Sequence, residues 1–461
     1  MKTEKKIGIW GFSRVGSAAA RYYLHNGIRP DIFDANPLSP EQQAWCAEHN
    51  LRVWQPNALE SFLQQQDAIV PSPGIDLRSY HTYAHKWVSE FDLFCNAYQQ
   101  PIIGITGSIG KTSITHLLSQ LLTRVHGSIA TGGNIGIGML DLLTSDTQTA
   151  LALLELSSFQ LELVQTGAPD LAIITNIHPN HLDRHATMSA YMAAKTGIYR
   201  HQTNRQKLLM PYDCWQELCA ITPPQGKLYL FVTTPTDAAP DLPAGCTGIF
   251  FQNTVHQLMY RDETGITMLL DLNALPPITF VQNWLIIVSA AQLLGLELGQ
   301  LLTYAPSFSL PAHRLELVAS VHGVSFYNDS KATTLMSMLA AVAAVSGGKK
   351  SVHLFMGGLS KGVDREPTIA QLPETLVHAY CFGAEAATLS ALCTKHAIAS
   401  STHATLEEAF AHCITQVSPD QVVLLSPGGA SYDLFTDYEE RGRRFIALVK
   451  QQDQHQGKFC R

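Results

Sequence analysis

The sequence predicts an α/β protein of three domains, each a mostly parallel sheet covered by helices. Three observations predict it. The chain is 461 residues long, about three times the ~150 residues of a common domain, so two or three separate cores are expected. Short β-rich apolar runs alternate with helical stretches from the first residues to the last, the pattern of strands joined by helical crossovers. Two breaks interrupt that alternation: the polar, Pro-rich PTDAAPDLPAGCTG (235–248), expected as an exposed loop, and YAPSFSLPAH (304–313), expected as a linker. Domain boundaries are therefore placed at 1–97, 98–310 and 311–461.

In chain order, KIGIWGF, PDIFDA and DAIVPSPG read as the strands of the first domain. PIIGITG, ALALLELSS and LAIITNIHP belong to the second, and SVHLFMGG, HAYCFG and QVVLLSPGG to the third. Each run is followed by turn-rich residues, where open α/β sheets place their sites. Lys+Arg of 31 against Asp+Glu of 38 gives a net charge of -7. With no basic run to neutralise a phosphate backbone, nucleic acid is not an expected partner. MKTEKKIGIWGF lacks the apolar core of a signal peptide, and no apolar run reaches membrane-spanning length. Nine cysteines without a C-x-x-C spacing suit reduced thiols. The expectation is a soluble cytoplasmic enzyme, acting as a monomer away from membranes.

The first domain opens with G-F-S-R-V-G (11–16) after a strand, and Asp34 ends the next strand. Such a turn is either plain structure or a nucleotide site in which backbone N–H groups meet a diphosphate and the acid meets a ribose or base edge. PSPGIDL (71–77) is a second tight turn. The second domain carries GITGSIGKTS (104–113), which departs from G-x-x-x-x-G-K-[ST] only in having Ile105 at the first glycine. It lies between a strand and the helical THLLSQLLT. Backbone groups of Gly107, Ser108 and Gly110 would cradle phosphates, Lys111 would neutralise their charge, and the Thr112 hydroxyl would reach Mg²⁺.

Glu155 and Ser157 follow an apolar run. The carboxylate could complete a Mg²⁺ shell, or Ser157 or Ser158 could simply cap a helix. His178, His181, Asp183, Arg184 and His185 cluster after the next run, as solvated residues or as a metal or phosphate site. SAYMAAKTGIY places Tyr191 and Lys195 one helical turn apart on a largely small, apolar surface, where a lone lysine is most simply a solvated charge. In the third domain HRLE (313–316) precedes NDSKATT (328–334), GGLSKG (357–362) and SPGGASYDLFTDYEERG (426–442). The last three follow strands and mix hydroxyls with charges, as would a surface closing over an anionic ligand.

Taken in order, ITGSIGKTS, GGNIG, LELSSFQLE, NIHPNHLDRH, AAK, HRLE, NDSKAT, LSPGGASYD and YEERG resemble the Mur ligases, most closely the members that add D-glutamate. The resemblance runs from GFSRVG to YEERG; LELSSFQLE and NDSKAT are its specific parts, since the phosphate loop would also fit folylpolyglutamate synthetases. It implies a Rossmann-like N-terminal UDP-binding domain, a central P-loop ATPase-type domain and a Rossmann-like C-terminal domain that brings the amino acid. It also implies ATP-dependent ligation of D-glutamate to UDP-N-acetylmuramoyl-L-alanine through an acyl phosphate, in peptidoglycan synthesis and hence cell-wall biogenesis, cell shape and division. Two Mg²⁺ ions are implied, as is a carbamylated Lys195.

By position, Gly107, Ser108, Gly110, Lys111, Thr112, Asn283, Arg314, Asp329 and Lys331 resemble ATP-binding residues. Thr112, Glu155, His181 and carbamylated Lys195 resemble metal ligands, and Lys111, His181 and Lys195 the catalytic group. Arg14, Val15, Asp34, Gly74, Asn134, Ser157 and Gln160 match UDP-sugar contacts, and Thr333, Lys361, Ser431 and Tyr438 D-glutamate contacts. Ile109, Asn180, Gln282, Ile286, SPGGAS and Tyr438 depart from the usual residues, so adenine contacts and the metal surroundings are expected to differ. Three alternatives remain: a sister ligase with another amino acid or acceptor, a non-catalytic nucleotide-sugar-binding protein, and a dinucleotide oxidoreductase. Nothing downstream of GFSRVG and Asp34 resembles the hydride-transfer site that the last would need.

Overall fold

The computed structural model describes residues 5–144, 148–276, 278–360 and 362–456. The chain forms two compact units, the first from residues 1–177, 187–274 and 285–305, the second from 178–186, 275–284 and 306–461. The first unit holds two sheets. In the smaller, β1 (Ile7–Trp10), β2 (Asp31–Phe33) and β3 (Ala68–Pro71) lie parallel in the order β2-β1-β3. The run IGIW is buried throughout, as a strand covered on both faces must be. Ser39 starts the crossover helix Pro40–Glu48 with a reciprocal capping box to Gln42 and Pro40 in its first turn.

The larger sheet has nine strands. They are β4 (Ile102–Thr106), β5 (Ala130–Gly133), β6 (Ala152–Glu155), β7 (Leu171–Ile174), β8 (Lys207–Pro211), β9 (Lys227–Val232), β10 (Cys246–Gln252), β11 (Gln257–Asp262) and β12 (Gly265–Asp271). Their order is β12-β11-β10-β9-β8-β7-β4-β6-β5. β4 lies in the interior between β7 and β6, with Ile105 paired to Glu155 and Thr106 to Ile174. The second unit holds β13 (Glu316–Val321), β14 (Val324–Asn328), β15 (Val352–Gly357), β16 (Leu376–Phe382), β17 (Ser400–His403) and β18 (Val422–Leu425) in the order β13-β14-β18-β15-β16-β17.

The α/β class holds, with an antiparallel addition to each large sheet. β10, β11 and β12 pair antiparallel, as do β13 and β14. The connections explain this: His322 and Gly323 join β13 to β14 with φ of 51° and 79°, a two-residue primed turn that can only make a hairpin. The stretch expected as an exposed loop at 235–248 also ends inside strand β10. Within the first unit Leu154, Leu156, Ile174 and Ile198 pack into one apolar core; within the second, Leu354, Met356 and Leu424 pack on one face of the sheet and Phe355, Val423 and Leu425 on the other. Among the described residues no helix is long and apolar enough to cross a membrane, and the eight described cysteines are free thiols.

Candidate active site

The phosphate-loop motif follows β4 and ends at the helix Lys111–His126. Gly107 (φ 144°) and Gly110 (φ 86°) hold backbone that side-chain-bearing residues rarely adopt. A Cβ on Gly107 would stand 2.0 Å from the Thr175 hydroxyl oxygen. Ile105, the mismatch at the first glycine, is a fully buried strand residue; its place is in the sheet, where no glycine is needed. The loop is tied from β7's far end: Ile109 N–H donates to Asn176 Oδ1 (2.9 Å), while Thr175 Oγ1 (2.6 Å) and Asn176 Nδ2 (3.0 Å) donate to the Ile109 carbonyl. Ser108 Oγ and the Tyr191 hydroxyl are 2.9 Å apart.

Two lysine side chains converge here. Lys111 Nζ donates to the carbonyls of Gly107 (2.7 Å) and Ser108 (3.1 Å). Lys195, on the helix Met188–Thr196, is 1% exposed and donates to the same Gly107 carbonyl (2.9 Å) and to Thr106 Oγ1 (3.2 Å). The Tyr191 ring lies 4.8 Å from its Nζ. The solvated alternative for Lys195 is therefore excluded. Burial, then the charge of Lys111, drives the Lys195 amine well below the usual lysine range, with Glu155 pulling the other way.

Glu155 ends β6 beside Ile105 and Gly133. The residue is 1% exposed; Oε1 accepts from Asn134 Nδ2 (2.9 Å) and Oε2 has no hydrogen-bond partner among the described residues. A buried, half-satisfied carboxylate at the edge of a phosphate loop fits a cation. With the buried Thr112 hydroxyl in the first helical turn, it offers hard oxygen donors suited to Mg²⁺ that takes its other ligands from phosphate and water. Among the described residues no group of three or more His, Cys, Asp or Glu is placed to hold a metal ion by itself.

Asn134 also accepts Arg14 Nη2 at its carbonyl (2.8 Å), while Val15 is buried in the first helix. Ser157 is both cap and site candidate: it starts the helix Ser158–Leu161, its N–H and Oγ meeting Gln160 Oε1 at 3.0 Å. Gln160 Nε2 donates to Glu90 Oε2 (3.2 Å), a residue the sequence reading missed and whose burial pushes its carboxyl up to about 7. Asp34 accepts the N–H groups of Phe12 (2.7 Å) and Asn36 (2.9 Å), so it shapes the GFSRVG turn. It also lines a cleft of about 480 Å³ with Asn36, Leu38, Trp54 and Gln55. Among the described residues, its chain neighbours aside, nothing lies within 4 Å of a Cβ position at Gly74.

In the second unit the loops after β14, β18 and β15 leave the C-terminal ends of three adjacent parallel strands. Asp329 is buried there, accepting from Leu315 N–H (3.2 Å) and Ser426 Oγ (2.9 Å). Burial lifts its carboxyl to about 7, against the pull of Arg314. Lys331 Nζ lies 5.1 Å from the Tyr438 ring. Thr333 follows in the same turn, Ser431 is buried in the loop after β18, and Asn283 donates to Thr279 Oγ1 (2.7 Å). His181 (φ 55°) precedes the helix Leu182–His185. Lys361 lies outside the described residues. Of the departures, Ile286 is buried and Asn180 is buried with Oδ1 unpartnered among the described residues.

Two arginines were missed. Arg441, within YEERG, is fully buried and donates to Ser330 Oγ (3.0 Å), the Ser330 carbonyl (2.7 Å) and the Gly429 carbonyl (3.1 Å). It ties two of the three loops together. Arg365 is buried beside Glu385 (2.8 Å); in sequence, GVDRE reads as an exposed turn and carries no signal of burial.

Comparison with known proteins gives a consistent set of matches. The Mur ligase middle domain matches residues 105–232, and the Mur ligase, glutamate ligase domain matches residues 313–429. A UDP-N-acetylmuramoylalanine--D-glutamate ligase of Geotalea uraniireducens is 31% identical over 98% of this chain and 99% of its own length. The protein of that name from Salmonella choleraesuis is 30% identical over 97% and 98%. Among solved structures, MurF from Acinetobacter baumannii matches with a TM-score of 0.60 at 17% identity, covering 96% of this chain and 90% of its own. MurF from Thermotoga maritima, solved with ADP, matches with 0.58 at 14%, covering 99% and 96%. These structures share the fold.

Proposed function

This chain belongs to the Mur ligase family, and we propose on that premise that it joins D-glutamate to UDP-N-acetylmuramoyl-L-alanine at the expense of ATP, a step of peptidoglycan precursor synthesis. The observation that carries the reading is the convergence of Lys111 and Lys195 on the Gly107 carbonyl, beside the half-satisfied Glu155. That arrangement suits the transfer of a highly charged phosphoryl group.

In the proposed reaction the alanyl carboxylate attacks the γ-phosphorus of ATP, forming an acyl phosphate and releasing ADP. The D-glutamate amine then attacks the acyl carbon, loses a proton, and phosphate leaves with the electron pair of the broken C–O bond. The backbone N–H groups between Gly107 and Thr112 hold the phosphates at a helix N-terminus. Lys111 follows the charge that develops on the transferred group, and Thr112 and Glu155 would hold a Mg²⁺ ion, which would supply neutralisation of phosphate charge. No side chain need act as nucleophile; positioning and charge neutralisation supply the rate.

Lys195 is proposed to react with CO₂, its neutral amine forming a carbamate and releasing one proton. The depressed basicity of the buried amine supports this. Residues 1–97 are proposed to bind the UDP-sugar, with Arg14, Asp34 and Asn134 near it, residues 98–310 the ATP, and residues 311–461 the amino acid, with Thr333, Ser431 and Tyr438 at its subsite. His181 is proposed as a ligand of a second Mg²⁺. The chain is proposed to work as a cytoplasmic monomer. The test is phosphate release from ATP with Mg²⁺ and UDP-N-acetylmuramoyl-L-alanine, comparing D-glutamate, L-glutamate and no amino acid. Release that needs D-glutamate is the expected result; release with another amino acid makes the chain a sister ligase, and none makes it a binder.

A further inference from the structure

Beside the proposed amino-acid subsite lies an ion pair that the reaction does not use. Arg365 is 4% exposed. Its Nη2 donates to the Gly358 carbonyl (2.6 Å) and lies 2.8 Å from Glu385 Oε2. The other oxygen of Glu385 accepts the Ser360 N–H (2.9 Å). Both ends of the pair therefore grip the turn that follows β15, one by a carbonyl and one by an N–H. The turn is held on its other side by the loop after β18: Leu359 and Ala430 exchange backbone hydrogen bonds (2.8 and 3.0 Å), and Gly357 N–H donates to the Pro427 carbonyl (3.0 Å). Gly358, at φ 82°, lets the two backbones meet; a Cβ there would stand 2.3 Å from the Ala430 carbonyl oxygen. Ser431 is the next residue of that loop.

The pair is poorly built for stability alone. Arg365 Nε and Nη1 are buried without hydrogen-bond partners among the described residues, and an apolar pair of like volume would avoid that cost. We infer that Arg365 and Glu385 are positioning residues for the amino-acid subsite: by fixing the Gly357–Ser360 turn against the Ala430 loop, they set how tightly the incoming amino acid is held. This rests on the assignment of the Ser431 neighbourhood to D-glutamate.

The test titrates D-glutamate, ATP and UDP-N-acetylmuramoyl-L-alanine in turn on the purified full chain and on Glu385→Gln, Arg365→Lys and the double variant Arg365→Leu/Glu385→Leu. Glu385→Gln and Arg365→Lys are expected to raise KM for D-glutamate about tenfold or more, leaving KM for ATP and the UDP-sugar within about twofold. The double variant is expected to recover the melting temperature but not the D-glutamate KM. Lys395→Ala, which breaks the more exposed pair with Glu366, should leave all three constants unchanged. An unchanged D-glutamate KM in folded Glu385→Gln, a parallel rise of all three constants, or recovery of KM in the double variant overturns the inference. Failure of the unaltered protein to use D-glutamate breaks the functional reading itself; the amino acid it does use is then titrated, and if it uses none both fall.

Discussion

The loop edge of the nine-stranded sheet and that of the third sheet both gather charged side chains at the ends of parallel strands, but they treat charge in opposite ways. At the first, two lysines share one carbonyl and Glu155 keeps an oxygen without a hydrogen-bond partner among the described residues. At the second, Arg441 is fully buried yet spends its donors on the Ser330 hydroxyl and on two backbone carbonyls, and Asp329 is capped by an N–H and a hydroxyl. One edge leaves charge for ligands to complete; the other uses charge to hold loops in place. The first should fail in rate when altered, the second in stability or in one substrate's affinity.

The largest expected effect is on rate. Lys111→Ala should lower D-glutamate-dependent phosphate release by on the order of 10³-fold while the melting temperature changes little; an equal loss of folded protein would erase the contrast. Arg441→Ala should do the reverse. Leaving the Ser330 and Gly429 acceptors buried without their partner is expected to cost about 3–5 kcal/mol in chemical denaturation. A smaller loss, under about 1 kcal/mol, would show that water replaces the guanidinium and that this edge is less rigid than its hydrogen bonds suggest.

Glu155→Gln should keep the Asn134 contact through its carbonyl oxygen and lose about 100-fold in kcat, with a raised Mg²⁺ requirement read from a metal titration. A pH test comes next. Burial raises the Glu90 carboxyl from 4.5 to about 7 in the fold. Its favourable contribution is therefore complete below about pH 4 and lost as pH rises through 7. Glu90→Gln, which cannot ionise, should gain melting temperature relative to the unaltered protein between pH 5 and 8; a pH-independent gap would mean Glu90 stays charged. Smallest of all, Lys395→Ala should leave the melting curve in place, because the Lys395 side chain is itself 60% exposed and water screens its pair with Glu366.

The sequence by itself determined the α/β class, the phosphate loop and the residue types at the strand ends. These are local: apolar runs set strands, Gly107 and Gly110 set the loop, and Ser157 with Gln160 sets a cap within four residues. It also carried the family resemblance from GFSRVG to YEERG. Tertiary structure alone decided the rest. Only the fold shows that Lys195 reaches back across 88 residues to the Gly107 carbonyl, that Glu90 supports Gln160 from 70 residues away, and that Arg365 and Arg441 are buried. It also decided where the parallel pattern stops, at β10–β12 and at β13. Burial and hydrogen-bond partners at such separations depend on which strands become neighbours, and neighbour choice is a property of the whole sheet, whereas propensity and turn chemistry act over a few residues.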